Sequence, residues 1–116
     1  MKICIPAQTN AGQQALVNDR FGSAPFFVIV DTQTNALEVI ANANPALHPL
    51  DLLASRHVAA VVTGGIGSRA LEIVIKAGIK VYRAMPGSVT EAIEGFAKGW
   101  LEEIPQNDAS RPQGCD

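Results

Sequence analysis

The fold of this chain is decided by the stretch Ala59-Ala60-Val61-Val62-Thr63-Gly64-Gly65-Ile66-Gly67-Ser68-Arg69-Ala70. It begins with apolar and β-branched residues, a run that is typical of a strand buried on both faces of a parallel sheet. Three glycines within four residues follow, and apolar residues at helical spacing from Ile66 to Ala77 then predict an amphipathic helix. Strand, glycine loop and helix in this order indicate an α/β fold.

Two interpretations of the glycine loop stay open at this point. Glycines let a ligand approach the main chain, and the free N–H groups and dipole of a helix N-terminus favour negative charge, so the loop is a candidate anion site. The spacing Gly64-Gly65-x-Gly67 is neither the dinucleotide fingerprint nor the Walker phosphate loop. Alternatively, the glycines only relieve crowding in a tight strand-to-helix turn.

Length and composition indicate one globular domain. The chain has 116 residues, of which 47% are hydrophobic and 17% charged, with a net charge of -2. This balance provides no basic field for nucleic acid or a membrane surface, and no apolar run reaches the roughly 20 residues of a membrane span. Residues 2–6 read as a strand rather than a signal peptide, so we expect a cytoplasmic protein.

The two cysteines, Cys4 and Cys115, form no Cys-x-x-Cys pair. The sequence therefore contains neither a zinc knuckle nor a thioredoxin-type site. Cys4 lies in an apolar strand and is expected to be a plain core thiol. Cys115 lies in a polar tail, where an incidental residue and a soft-metal or redox role both remain open.

Periodicity and turn signals predict five strands and three helices. The strands are Lys2–Ala7, Phe26–Val30, Ala36–Ala41, Val58–Thr63 and Ile79–Arg83, and the helices are Pro49–Arg56, Ser68–Ala77 and one that starts at the capping box Ser88-Val89-Thr90-Glu91, with Val89, Ile93, Phe96 and Trp100 as its apolar face. Residues 1–104 then form a single α/β domain, and residues 105–116 are predicted to be a disordered tail.

The order of these elements predicts a mixed sheet. The second and third strands form an antiparallel hairpin, and right-handed crossovers make the last two strands parallel neighbours. With the first strand beside the fourth, the order is 3-2-1-4-5. Loops 8–21, 63–69 and 84–88 then meet at one end of the sheet, where open α/β sheets bind ligands.

The residues on these loops predict an anionic ligand. Two helix N-termini and two arginines, Arg20 and Arg69, favour negative charge, while Asp19 is the exception. So few carboxylates argue against magnesium-dependent hydrolysis. His48 could reach the same end of the sheet, and His57 is expected at the opposite end. No catalytic constellation is recognisable, so the chain is predicted not to be an enzyme.

Several motifs together resemble one family. They are Met1-Lys2-Ile3-Cys4-Ile5-Pro6, Phe21-Gly22-Ser23-Ala24-Pro25-Phe26-Phe27, Asn44-Pro45 with His48, the glycine-loop stretch 61–70, and Gly78-Ile79-Lys80-Val81-Tyr82. Over residues 1–100 the chain is similar to the dinitrogenase iron–molybdenum cofactor biosynthesis family. The strand order also resembles a ribonuclease-H-like three-layer sandwich. Nuclease activity is disfavoured, because Cys4 and Ile5 stand where those nucleases carry an Asp in their first strand.

The resemblance implies a non-catalytic carrier for an anionic, molybdenum-containing metal–sulfide cluster of molybdenum–copper or iron–molybdenum type. Partners would be proteins of cluster delivery or an ATPase-containing complex, with no nucleic acid and no membrane. Arg20 stands where family members often have His, which favours electrostatic holding, and Met85 and Cys115 are soft candidates for copper. The expected cofactor-binding residues are Asn10, Gly12, Arg20, Phe21, Gly22, His48, Gly64, Gly65, Ile66, Gly67, Arg69, Met85, Gly87 and Ser88.

An alternative function uses the same features differently. The loop could bind phosphate or a nucleotide in a regulatory protein, since a helix N-terminus accepts those anions equally well. A protein-interaction adaptor is the other form of this alternative, in which the exposed hairpin edge at Ala36–Ala41 pairs with a partner.

Overall fold

The computed structural model describes residues 1–21, 24–42 and 49–104, which form an α/β fold with one mixed sheet. Its described strands are β1 Lys2–Ala7, β2 Phe26–Asp31, β3 Leu37–Ala41, β4 Val58–Thr63, β5 Lys80–Arg83 and β6 Glu102–Glu103. The helices of the same residues are α1 Pro49–Ser55, α2 Ser68–Lys76 and α3 Val89–Ala97, with a short 3-10 helix at Gly12–Gln14. The strands lie side by side in the order β3-β2-β1-β4-β5-β6.

β1 lies in the middle of the sheet. It pairs antiparallel with β2, beginning with Lys2 opposite Asp31, and it pairs parallel with β4. Its side chains Ile3, Cys4 and Ile5 are fully buried. A strand covered on both faces needs apolar side chains in both directions, which explains the unbroken apolar run in the sequence.

Helices cover both faces of the sheet. On one face, α1 and α2 contribute to a core in which Leu71 packs with Val61. On the other face, α3 contributes Val89 to a core that contains Val62. Val61 and Val62 are neighbours in β4, and successive side chains of a strand point to opposite faces, so the glycine-loop stretch anchors both cores.

The predicted order of the first five strands, 3-2-1-4-5, is confirmed. The hairpin of β2 and β3 is antiparallel, and β4 and β5 are parallel, as expected. The ribonuclease-H-like designation stays a prediction. So does the domain boundary at residue 104, because residues 105–116 lie outside the described part of the chain.

The prediction of five strands is wrong, because a sixth strand closes one edge of the sheet. β6 pairs antiparallel with β5, with Glu102 opposite Arg83. Gly99 adopts a φ of +73°, which reverses the chain after α3. The buried residue Ile104 then donates its N–H to the carbonyl oxygen of Val81 at 2.7 Å. Two residues of pairing leave too short a pattern to be recognised in the sequence.

The expected apolar face of α3 is wrong at Trp100. The helix ends at Ala97, and Trp100 is 66% exposed, with the Lys98 ammonium 4.7 Å from its ring centroid. Leu101 is the residue that packs against the helix instead, since a Cβ atom at Gly95 would lie 2.9 Å from its Cδ2. The turn at residue 99 breaks the helical period on which the prediction rested.

Candidate functional site

The loop after β1 and the loop after β4 are joined by hydrogen bonds. The N–H of Phe21 donates to the carbonyl oxygen of Gly65 at 3.0 Å, and the buried hydroxyl of Thr63 donates to the same oxygen at 2.8 Å. Within the first loop, the side-chain amide of Asn18 donates to the carbonyl oxygen of Arg20 at 2.7 Å. These bonds fix the backbone of the glycine loop against residues 18–21.

The loop after β5 joins the same end of the sheet. The N–H of Val17 donates to the carbonyl oxygen of Gly87 at 2.9 Å, and the N–H of Val89 donates to that of Ala15 at 2.8 Å. The Ala84 N–H donates to the carbonyl oxygen of Thr63, also at 2.8 Å. The predicted meeting of three loops at the carboxyl ends of β1, β4 and β5 is therefore confirmed.

The N-terminus of α2 opens into this region without a side-chain cap. Gly67 is the N-cap residue and supplies no side chain, and the first turn contains no acidic residue. Among the described residues, no acceptor is present for the N–H groups of residues 68–70. The free donors of residues 68–70 and the positive end of the helix dipole lie at this N-terminus, of which Gly67 and Ala70 line the cleft described next.

Among the residues that the structure describes, two clefts adjoin the glycine loop. The first has a volume of about 550 Å³ and is lined by Asp19, Arg20, Phe21, Gly65, Ile66, Gly67 and Ala70. The second has a volume of about 220 Å³ and is lined by Val17, Asp19, Gly64, Arg83, Ala84, Met85 and Pro86. We call them the α2 cleft and the β5 cleft. Asp19 lines both clefts, with its carbonyl oxygen beside Gly65 of the α2 cleft and its Oδ1 beside Gly64 of the β5 cleft.

The α2 cleft combines positive charge with apolar walls. The exposed guanidinium group of Arg20 and the free amides of α2 supply the charge. The buried ring of Phe21 forms part of the wall and is itself held by Phe27, with ring centroids 5.5 Å apart. An anion with an apolar or polarisable surface matches both properties.

The N-terminus of α3 does not contribute the anion site that was expected. The Glu91 carboxylate accepts the backbone N–H of Ser88 at 2.9 Å, and the Ser88 hydroxyl accepts the N–H of Glu91 at 3.2 Å. The capping box therefore already places a carboxylate at this helix end, and a further anion there would be repelled. A Cβ atom at Gly87 would lie 2.5 Å from a carboxylate oxygen of the same Glu91.

Several other expected site residues lie away from both clefts. Asn10 is exposed in the loop after β1, and Gly12 approaches Leu37 of β3 rather than the glycine loop. Arg69 is exposed on the first turn of α2 and lines neither cleft, so only one of the two arginines faces the α2 cleft. Gly22, His48 and Cys115 lie outside the described residues.

The expected residues that the structure does bring together are divided between the two clefts. Arg20, Phe21, Gly65, Ile66 and Gly67 line the α2 cleft, whereas Gly64 and Met85 line the β5 cleft. Met85 is 73% exposed, so it is not a packing residue.

Sequence reasoning missed the contribution of Thr63, whose hydroxyl positions the Gly65 carbonyl. A hydroxyl side chain at the last residue of a buried strand was the available signal. It also did not foresee that Asp19 lines both clefts.

Cys4 is a core thiol, as predicted. Its side chain has no solvent exposure, and burial raises the pKa of the thiol far above its ordinary value. Within residues 1–21, 24–42 and 49–104, no three His, Cys, Asp or Glu side chains gather into a metal-binding group. The helices of these same residues include none that is long and apolar enough to cross a membrane.

Known proteins are similar to this chain in sequence and in fold. The family model described as dinitrogenase iron-molybdenum cofactor matches residues 1–99. An uncharacterised protein of Methanocaldococcus jannaschii is 30% identical, over 90% of this chain and 92% of that protein. The solution structure of a NifB-like protein from Thermotoga has 34% identity and a TM-score of 0.77, covering 88% of this chain and 91% of that one.

The apo form of the orange protein from Desulfovibrio gigas is similar as well. It has 32% identity and a TM-score of 0.79, covering 89% of this chain and 92% of that one. Each of these matches covers about nine tenths of this chain, and the residues matched by the family model include those that line the α2 cleft. Because the family model spans residues 1–99, the chain belongs to the dinitrogenase iron-molybdenum cofactor family.

Proposed function

We propose that the chain is a non-catalytic carrier that holds an anionic, molybdenum-containing metal–sulfide cluster in the α2 cleft. The observation that carries the proposal is the uncapped N-terminus of α2, which opens into a cleft bordered by Arg20. Membership of the dinitrogenase iron-molybdenum cofactor family supports a cluster as the cargo. The likeness to the orange protein, which matches this chain over nearly its whole length, favours a role for a domain of this size as the carrier.

The charges around the cleft suit such an anion. Backbone N–H groups at a helix N-terminus and an arginine side chain are donors to negative charge, and each helix-end interaction contributes about 0.3–1 kcal/mol. The cleft volume of about 550 Å³ falls within the range of small-ligand sites. Ile66, which is half-buried, offers apolar surface to polarisable sulfide atoms.

Holding by charge and shape needs no covalent bond between protein and metal. The planar guanidinium group of Arg20 can bond two acceptor atoms at once. The glycine loop contributes main-chain donors whose positions are fixed by the bonds of Thr63 and Phe21 to Gly65. A preformed site of this kind loses little conformational entropy when the cluster enters.

The test is binding of tetrathiomolybdate, with and without Cu(I), to purified chain, followed by desalting and visible spectroscopy. We expect colour to elute with the wild-type protein and Arg20→Gln to weaken binding about tenfold, as expected for loss of a charged hydrogen bond. Lys80→Gln removes the same charge from an exposed residue at the other end of β5, so it is the matched control. Arg69→Gln should have a smaller effect than Arg20→Gln, because Arg69 lines neither cleft.

Colour that separates from the protein on the column would refute cluster binding. Equal affinities of Arg20→Gln and Lys80→Gln would refute the α2 cleft as its site. The uncapped helix end also favours a second candidate, a regulatory protein that binds phosphate or a nucleotide. Calorimetry with inorganic phosphate and ATP distinguishes the two, since heat from these anions without thiomolybdate binding would favour the second candidate.

A further inference from the structure

β3 forms one edge of the sheet, and no other described strand pairs with its outer side. Hydrogen bonds at the two ends of the β2–β3 hairpin define its register. The N–H of Asp31 donates to the carbonyl oxygen of Ala36 at 2.9 Å, and the N–H of Asn42 donates to that of Pro25 at 2.8 Å. In an antiparallel pair, such bonded positions recur at every second residue along each strand.

The same register identifies the backbone groups on the outer edge. Glu38 and Ile40 lie at the bonded positions between Ala36 and Asn42, so their N–H and C=O groups face β2. The N–H and C=O groups of Leu37, Val39 and Ala41 therefore point away from the sheet. This edge offers alternating donors and acceptors over five residues, which is enough to pair with another strand.

The side chains of this edge are complementary to a second copy of themselves. In an antiparallel pair centred on Val39, Leu37 lies opposite Ala41 of the other copy, and Glu38 lies opposite Ile40. The edge carries one charge, Glu38, whose two carboxylate oxygens accept hydrogen bonds from Arg56 at 3.1 Å each. Like charges directly opposite each other destabilise strand pairing, and this register places none opposite each other.

The other edge of the sheet is protected against pairing. β6 has only two residues, and both are exposed glutamates, Glu102 and Glu103. Short, charged edge strands of this kind resist addition of a further strand. A head-to-tail assembly of β3 on β6 is thereby disfavoured, which leaves the symmetric contact of β3 with β3.

We propose that two copies of the chain associate through β3 in an antiparallel, two-fold symmetric pair centred on Val39. Three pairs of opposed residues, each exchanging two backbone bonds, give about six intermolecular hydrogen bonds. The contact also covers Leu37, which is 36% exposed on the free edge. The six described strands of each copy then form one continuous sheet with those of the other. The α2 cleft lies at the ends of other strands and is left open in both copies.

Sedimentation equilibrium of the full chain over a wide concentration range tests this contact. We expect the average mass to rise from 12.2 kDa towards twice that value as concentration increases. Val39→Pro removes an outward-facing N–H and leaves the bonds to β2 in place, a position where edge strands tolerate proline. It should weaken association at least tenfold, while far-UV circular dichroism confirms that the variant is folded.

A pair of double variants tests the register independently. Leu37→Lys with Ala41→Lys places like charges opposite each other in the dimer, and this variant should be monomeric. Leu37→Glu with Ala41→Lys places opposite charges there and should restore association. A wild-type mass of 12.2 kDa at every concentration would overturn the proposal, as would equal association of the two double variants.

Discussion

The carbonyl oxygen of Asp19 lies 2.5 Å from the position that a Cβ atom would occupy at Gly65. No side chain fits at that distance, so residue 65 must be glycine for the two loops to approach this closely. Gly65 is not among the residues with positive φ, and the requirement is therefore one of space rather than of backbone conformation. The approach is what allows the Phe21 N–H to bond the Gly65 carbonyl and thus closes one side of the α2 cleft.

Gly65→Ala should consequently destabilise the protein and disrupt the cleft. Because the neighbouring atom is backbone, the loops must separate, and we expect a loss of about 2–3 kcal/mol in the free energy of unfolding. Urea denaturation measures this loss. Gly67→Ala is the matched control, since nothing lies within 4 Å of its Cβ position, and it should cost at most about 1 kcal/mol. Similar losses for both variants would contradict the steric argument.

Asp19→Asn should raise the affinity of the site for small anions. Asp19 lines both clefts, and its negative charge opposes that of Arg20 and of the α2 amides. In the high dielectric of the protein surface, removing one such charge should change the binding free energy by about 1 kcal/mol, which is several-fold in affinity. Titration with tetrathiomolybdate at low ionic strength measures the change. Asp31→Asn is the control and should leave the affinity unchanged, because Asp31 of β2 lies opposite Lys2, at the end of β1 away from the clefts. An unaltered affinity of Asp19→Asn would show that the Asp19 carboxylate does not act on the site.

Ser88→Ala should lower stability by about 1 kcal/mol, because it removes the acceptor for the Glu91 N–H in the capping box of α3. Thermal unfolding followed by circular dichroism measures this effect. Glu94→Gln in the same helix breaks only an exposed pair with Lys98 and should change stability by less than about 0.5 kcal/mol. Anion affinity should stay unchanged in Ser88→Ala if α2 alone provides the helix end that binds.

Trp100→Ala should change the free energy of unfolding by less than about 0.5 kcal/mol, because the ring is largely exposed. Phe96→Ala should cost about 2 kcal/mol, since its ring packs edge-on against Tyr82 with centroids 5.2 Å apart. Denaturant titration of both variants, followed by far-UV circular dichroism, compares the two positions. A larger loss for Trp100→Ala would place the tryptophan in the core after all.

The strands and helices could largely be predicted from local patterns. The apolar run at residues 58–63, the valine-rich strand at 26–31 and the capping box at Ser88 are each encoded within a few neighbouring residues. β6 could not be recognised, because its two glutamates pair with β5 only after the turn at Gly99 brings them back to the sheet. The same turn explains the wrong assignment of Trp100 to the apolar face of α3. The helical spacing of apolar residues continues in the sequence beyond the turn that ends the helix.

The candidate site could be predicted from the sequence only in part. The capping box of α3 was visible in the sequence, yet its consequence for the site was missed: the Glu91 carboxylate already occupies the helix end where an anion was expected. Arg20 and Arg69 look equivalent as charges on loops, but only Arg20 lines the α2 cleft. The direction of the loop backbone determines which charged side chain faces a cleft. Hydrogen bonds between the loops fix that direction.

Local patterns of residues were enough to predict the α/β class, the order of the first five strands and the loops that meet at their ends. These features depend on apolar periodicity and chain connectivity, which act over short distances along the chain. The folded chain shows that α2 has an uncapped N-terminus while that of α3 is capped, that Asp19 lines both clefts, and that no described strand pairs with the outer edge of β3. Each of these depends on contacts between residues far apart in sequence, such as that of Asp19 with Gly65, which no local pattern encodes.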